Sequence, residues 1–172
     1  MAYQYPEGIS ERHLTSGTER RAMWWRHGLV ALVLLIALSG LLGGAPAPTE
    51  RAAGPAATLA VTTPDRLRNG MFFETRVSAL AKGPIADAVV AVPAAMWRDV
   101  TVNSMIPAPS EEEYADGEFR FHFGPLAKGD RLELKIDGQM NPARYARSSG
   151  RLRLLDGGAE LAAVPLTLQV IP

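Results

Sequence analysis

The chain of 172 residues carries 18 basic and 18 acidic side chains, so its formal net charge is zero. This balance argues against a nucleic-acid-binding protein, which needs a concentrated basic surface for its phosphate contacts. The chain has no cysteine, which excludes disulfide bonds, thiolate catalysis, iron–sulfur clusters and zinc sites built on cysteine.

The first part of the chain predicts a tail followed by a long helix. Residues 1–16 are polar and lack a hydrophobic period, which is typical of a disordered tail. A helix is expected over 17–44, because Ser16 and Glu19 have the spacing of an N-terminal capping box.

The helix contains an uncharged apolar run, Gly28 to Gly44, preceded by Trp24 and Trp25. At about 1.5 Å per residue, the segment 24–44 is about 30 Å long, which matches the hydrocarbon core of a bilayer. We expect a transmembrane span that acts as an uncleaved signal anchor. A cleaved signal peptide remains the alternative, although its small-residue cleavage sites are followed by proline.

The distribution of arginine predicts the orientation of this span. Arg12, Arg20, Arg21 and Arg26 precede the apolar run, whereas Arg51 alone follows it closely. Because basic residues stay on the cytoplasmic side, the N-terminus is expected in the cytoplasm. The C-terminal domain is then periplasmic, at a bacterial inner membrane.

Small residues near the end of the span predict a helix contact. Ser39, Gly40, Gly43 and Gly44 have the small-xxx-small spacing that lets helices pack closely. The span would then bind a membrane-protein partner or associate with itself. In the alternative interpretation, the glycines only loosen the end of the helix.

Beyond an Ala/Pro/Gly-rich linker over 45–56, the hydrophobic period changes to that of β-strands. Residues 57–172 predict about seven or eight short strands separated by turns, with alternation such as that of Phe119, Phe121 and Phe123. This pattern predicts an all-β domain, an immunoglobulin-like β-sandwich, with a small barrel as the alternative.

The polar residues of this domain do not form a catalytic or metal-binding motif. The acidic stretch Glu111–Glu113, with Asp116 and Glu118, predicts a solvated loop, because adjacent glutamates point apart and cannot converge on calcium. His122 is the one histidine after the span, and no G-x-S-x-G occurs. We therefore expect no enzyme, no metal and no cofactor.

Two connections carry residue types that are enriched at protein interfaces. One contains Trp97 and Arg98, and the other contains Met140, Arg144 and Tyr145. These five residues are the candidate contact surface of the domain. In the alternative interpretation, Trp97 and Tyr145 close the ends of the hydrophobic core.

The chain resembles uncharacterised bacterial single-pass membrane proteins with a cysteine-free immunoglobulin-like exported domain. The segments Phe72–Arg76, Trp97–Thr101 and Asp137–Pro142 carry this resemblance, which implies no activity. The layout is also similar to copper-delivery proteins of oxidase assembly. Their cysteine ligands are absent here, so copper delivery is not implied.

Together these features predict a non-enzymatic, membrane-anchored interaction module. It would be an accessory or assembly subunit of a larger inner-membrane complex, in contact with the lipid bilayer and a membrane-protein partner. The alternative is an exported β-sandwich domain that binds a small ligand or an ion.

Overall fold

The computed structural model describes residues 6–8, 17–42, 44–141 and 147–171. The chain divides into two compact units, Met1–Leu41 and Leu42–Pro172. Most of the predicted tail, and the predicted contact residues Gly43, Arg144 and Tyr145, lie outside the described residues.

The first unit contains helix α1, Gly17–Leu38, whereas the sequence predicted a helix over 17–44. Just after this end, the Oγ of Ser39 donates a hydrogen bond to the carbonyl of Ile36 (2.6 Å). Gly40 follows with φ 74°, the left-handed conformation that commonly ends helices.

This ending corrects the predicted helix contact. Ser39, Gly40 and Gly44 lie beyond α1, so they do not form a small-residue stripe on its face. Gly44 also has a positive φ, 85°. Within the described residues, no helix combines the length and apolar content needed to cross a bilayer.

The second unit is built almost entirely from β-strands, with one short helix, α2 (Ala94–Trp97). Its described strands are β1 Thr49–Ala53, β2 Ala57–Thr62, β3 Arg66–Arg68, β4 Phe72–Ala81, β5 Ala88–Pro93, β6 Val100–Ile106, β7 Glu111–Ala115, β8 Glu118–His122, β9 Arg131–Met140, β10 Arg147–Asp156 and β11 Ala159–Ile171.

These strands form two sheets, in the orders β1-β2-β4-β9-β6 and β3-β11-β10-β5-β8-β7. The pairings are antiparallel except for the short parallel pair of β3 with β11. The predicted all-β class is therefore confirmed, with two sheets packed as a sandwich. Alternating side chains such as Leu134, Ile136, Leu152 and Leu154 fill the space between the sheets and are 2% exposed or less.

Two segments that the sequence assigned to irregular structure are strands. β1 lies inside the predicted linker 45–56 and pairs with β2, and the predicted acidic loop is strand β7, paired with β8. Both are edge strands whose side chains are largely exposed, so neither has the apolar alternation of a buried strand.

Strand β5 is buried on both of its faces. Val90 and Val92 point into the core, whereas Val89 and Ala91 point outward yet are fully buried. Ala91 pairs with residues whose long charged side chains lie on the outer face, Arg120 of β8 and Arg153 of β10. The stems of such side chains can cover apolar surface while their charged ends stay in contact with water.

Strands β6 and β7 each pair with one neighbour, and each forms one edge of its sheet. They follow one another in the chain, joined by the segment 107–110. The sandwich therefore has two adjacent open edges on the same side, and the candidate site lies between them.

Candidate functional site

A groove of about 640 Å³ lies between strands β6 and β7 and is named here the edge groove. It is lined by residues of α2, β6, the connecting segment, β7 and β8: Trp97, Val100, Val102, Asn103, Ser104, Met105, Ala108, Pro109, Glu112, Glu113, Tyr114, Phe119 and Phe121. Its position follows from the sheet order, because none of the described strands separates these two edges.

Aromatic side chains dominate this lining. Trp97 ends α2 and packs against Phe121 of β8, with ring centroids 5.8 Å apart and ring planes 46° apart. Tyr114 of β7 packs on Phe119 with centroids 5.4 Å apart. Tilted pairs at these separations are favourable beyond the burial of their apolar area, so the aromatic surface is a preformed one.

The β6 wall carries a backbone irregularity. The pairing of β6 with β9 shifts register between Val102 and Ser104, which leaves Asn103 as the extra residue of a bulge. Bulges are common at sheet edges and beside functional sites, where they redirect side chains. Val102 is 40% exposed at this wall, a large apolar side chain in contact with solvent.

The β7 wall is acidic. Glu113 Oε2 lies 3.7 Å from Arg120 Nη1 and 3.8 Å from His122 Nε2, so its charge is partly compensated. Glu112 lines the groove and, within the described residues, has no ion-pair partner. The groove therefore offers an aromatic surface for apolar groups and a carboxylate for a cation.

Behind the acidic wall, His122 is held by Asp87. His122 Nδ1 lies 2.6 Å from Asp87 Oδ2, while the buried Nε2 has no hydrogen-bond partner among the described residues. The Oγ of Ser110 donates its hydrogen bond to the backbone carbonyl of His122, so it is not aligned as a nucleophile. The described part of the chain contains no group of three or more potential metal-ligating side chains.

The outer face of the β4–β9–β6 sheet holds a separate charged network. Lys135 Nζ lies 2.8 Å from Glu74 Oε2, and this hydrogen bond lowers the pKa of Glu74 and raises the pKa of Lys135. The hydroxyl of Ser104 donates to Asp137 (2.7 Å) and is the main cause of the lowered pKa of Asp137. The network links three neighbouring strands, and Ser104 is the one member that also lines the edge groove.

The structure separates the contact residues predicted from the sequence. Trp97 is half-buried and belongs to the edge groove, which also fits the interpretation that it closes the core. Arg98 is exposed and lies beside another concavity, together with Arg147. Met140 is 3% exposed and packs with Leu67, so the prediction that it is a surface contact is wrong.

Residue types alone did not reveal the remaining groove residues. Tyr114 lies in an acidic stretch that looked like a loop, and Phe119 and Phe121 had the pattern of ordinary core residues. The sequence did contain one signal for this site: Tyr114 directly follows three glutamates. On an exposed strand, this order places an aromatic ring beside carboxylates.

Comparison with models of known protein families gives no match, and a search of curated proteins finds no relative of the chain.

Proposed function

We propose that this chain is a non-enzymatic interaction module, anchored in the bacterial inner membrane with an immunoglobulin-like sandwich in the periplasm. It serves a larger inner-membrane complex as an accessory or assembly subunit. The edge groove binds an extended segment of the partner protein. The mostly antiparallel two-sheet arrangement supports the immunoglobulin-like part of this proposal.

The exposed apolar surface of α1 supports the anchoring. Leu29, Leu35 and Leu38 are 64%, 66% and 82% exposed, and the apolar residues around them surround the helix on all sides. A helix that is apolar on every side requires lipid or protein around it. Trp24 and Trp25, which precede the apolar part of α1, fit the aromatic belt of a membrane interface.

One observation carries the binding proposal: an aromatic groove lies between two strand edges that, in the part of the chain that the structure describes, each lack a second neighbour. An open strand edge presents backbone donors and acceptors that an added strand can satisfy, and side-chain pockets beside it give specificity. The partner segment is therefore extended, with apolar side chains over Trp97 and Phe119 and a basic side chain opposite Glu112.

Tethering adds to the affinity of such a contact. A domain held near the bilayer meets a membrane partner at a high effective concentration, so a modest groove affinity is sufficient. This matches the interpretation of the domain as a subunit that acts beside a larger membrane complex.

The volume of the edge groove favours a second candidate function. About 640 Å³ lies within the range of small-molecule sites, about 300–1,000 Å³, and the aromatic lining suits an apolar ligand. In that case the groove would hold a small molecule in place of a peptide segment.

Photocrosslinking of the full chain in its native membrane tests the proposal. A benzophenone amino acid replaces Val102 in the groove wall or, as the control, Ala127, an exposed residue of the β8–β9 connection. We expect a crosslinked protein band for position 102 and none for position 127. Equal bands at both positions, or none at either, would contradict the peptide proposal. A small molecule that co-purifies with the chain would favour the second candidate.

A further inference from the structure

The connection between β3 and β4 presents an exposed apolar pair at one end of the sandwich. Phe72 is 70% exposed and Met71 is 37% exposed, side by side in the chain. The backbone that carries them is held in place, because Gly70 N donates to the Met140 carbonyl (3.1 Å) and Met71 N donates to the Arg68 carbonyl (3.1 Å). The pair therefore projects from a fixed turn.

This turn lies beside the point where the chain enters the sandwich unit. Arg68 Nε donates a hydrogen bond to the backbone carbonyl of Leu42 (2.8 Å), the first residue of that unit. Leu42 is itself 43% exposed. The apolar pair and the start of the unit therefore belong to the same end of the sandwich, named here the Leu42 end.

Strand register shows which other residues share the Leu42 end. Phe72 pairs with Gln139 near the last residue of β9, and Ile171 of β11 pairs with Arg68. Val100, the first residue of β6, pairs with Met140, and Arg147, the first residue of β10, pairs with Gln169.

Exposed arginine side chains lie at this end. Arg68, Arg98 and Arg147 are all exposed, and Arg98 and Arg147 line one shallow concavity. Asp65 and Asp99 are nearby carboxylates, whereas Glu74 and Asp137, two residues further along β4 and β9, are both ion-paired with Lys135. The Leu42 end thus combines exposed apolar side chains with exposed guanidinium groups.

We propose that the Leu42 end rests on the bilayer surface. Phe72 and Met71 enter the interfacial layer, and the three exposed arginines contact the phosphates of anionic lipid headgroups. Aromatic side chains favour this layer, and basic groups near an anionic membrane surface are attracted to it. The inference rests on the proposed anchoring, since a span ending close to Leu42 brings this end to the membrane.

Such docking would fix the orientation of the sandwich, beyond the tethering that the span provides. The connection 127–130 lies at the other end of β4, where Ala81 N donates to the carbonyl of Asp130 (2.9 Å). A strand of this length places it about 30 Å from Phe72. The docked orientation therefore points that connection away from the membrane.

The absence of cysteine from the chain makes a single-label experiment direct. Phe72→Cys, Ala127→Cys and Leu35→Cys are each prepared in the full chain, labelled with a nitroxide and reconstituted in liposomes of phosphatidylethanolamine and phosphatidylglycerol. The rates at which the label collides with oxygen and with a water-soluble nickel chelate report how deep the label lies in the bilayer. Phe72 and Ala127 are both exposed, so labels there leave the core intact.

We expect the label at position 35 in the bilayer interior, the label at 72 in the interfacial layer and the label at 127 in water. A label at 72 as accessible to nickel as the label at 127, with position 35 still embedded, overturns the docking inference alone. A label at 35 in water overturns the anchoring as well.

Charge provides a second readout. Replacing phosphatidylglycerol by phosphatidylcholine, or introducing R98Q together with R147Q, should raise the nickel accessibility of the label at 72 severalfold. No change in either case overturns the role given to the arginines. Protection of position 72 in native membranes but not in the liposomes overturns the lipid assignment and identifies a protein occupant.

Discussion

Arg153 of β10 and Glu118 of β8 form a two-point ion pair that passes over the intervening strand β5. Arg153 Nε donates to Glu118 Oε1 (3.1 Å), and its Nη2 donates to Oε2. The pair lies over Ala91, which points outward and is completely buried. The hydrogen bonds that Arg153 donates to Glu118 raise the pKa of Arg153. Charged side chains therefore complete the burial of the central strand.

We expect Glu118→Gln to lower the free energy of unfolding by about 1–3 kcal/mol, because the partly buried Arg153 then keeps only its longer contact with Glu160 (3.6 Å). Urea unfolding of the full chain in mild detergent, followed by circular dichroism, measures the change. Glu111→Gln is the matched control, since Glu111 is exposed and has no ion-pair partner in the described residues. A loss no larger than that of the control would show that the pair does not stabilise the sandwich.

Acid should weaken the network of Glu74, Lys135 and Asp137. Because Glu74 and Asp137 have lowered pKa values in the folded chain, these carboxyls become protonated at a higher pH in the unfolded chain than in the folded one. Their contribution is thus complete at neutral pH and is lost below about pH 5. At alkaline pH, the stability that Lys135 contributes to the folded chain is lost as the pH rises through its raised pKa.

Lys135→Met tests this network, because it removes the main cause of the lowered Glu74 pKa. We expect the free energy of unfolding of the variant to depend less on pH between about pH 6 and about pH 3 than that of the parent chain. Ser104→Ala should further reduce the pH dependence of the free energy of unfolding, because it removes the main cause of the lowered Asp137 pKa. Parallel pH profiles for parent and variant would contradict the assignment.

Gly54 of the β1–β2 turn is in contact with the other sheet. A Cβ atom at this position would lie 1.9 Å from the backbone carbonyl oxygen of Leu161. We expect Gly54→Ala to destabilise the sandwich by about 1–3 kcal/mol through this overlap. Gly83→Ala, at a position with open space, should change stability by about 0.5 kcal/mol or less. Equal effects in urea unfolding would show that residues 45–56 are a loose linker, as the sequence suggested.

The buried strands were predictable and the edge strands β1 and β7 were not, for one physical reason. Leu132, Leu134 and Ile136 of β9 alternate because one face of the strand is buried, and this alternation is visible in the sequence. β1 and β7 are held mainly by backbone pairing, which leaves no hydrophobic pattern in a stretch such as Glu111–Ala115.

The candidate site was harder to predict because it depends on which strands become neighbours. The residue type of Trp97 drew attention to this position, but its ring partner Phe121 and the Tyr114–Phe119 pair lie near it only because β8 pairs with β5 and β7 pairs with β8. Met140 failed as a contact residue for a similar reason. Leu67 and Leu168 bury it, and their approach is a property of the folded sandwich.

The edge groove is tested by Tyr114→Ser, with Ile106→Ser as the matched control. The two side chains are 64% and 61% exposed, but only Tyr114 lines the groove. Since both are exposed, we expect similar free energies of unfolding for both variants, within about 1 kcal/mol of the parent.

Loss of the Tyr114 ring removes an aromatic contact of the kind that dominates binding energy, so recovery of the position-102 crosslink should fall about tenfold or more. The Ile106 variant should keep most of its crosslink. An equal fall in both variants would place the contact on the exposed face of β6 outside the groove. An unchanged yield of the position-102 crosslink in the Tyr114 variant would show that the Tyr114 ring does not contribute to binding.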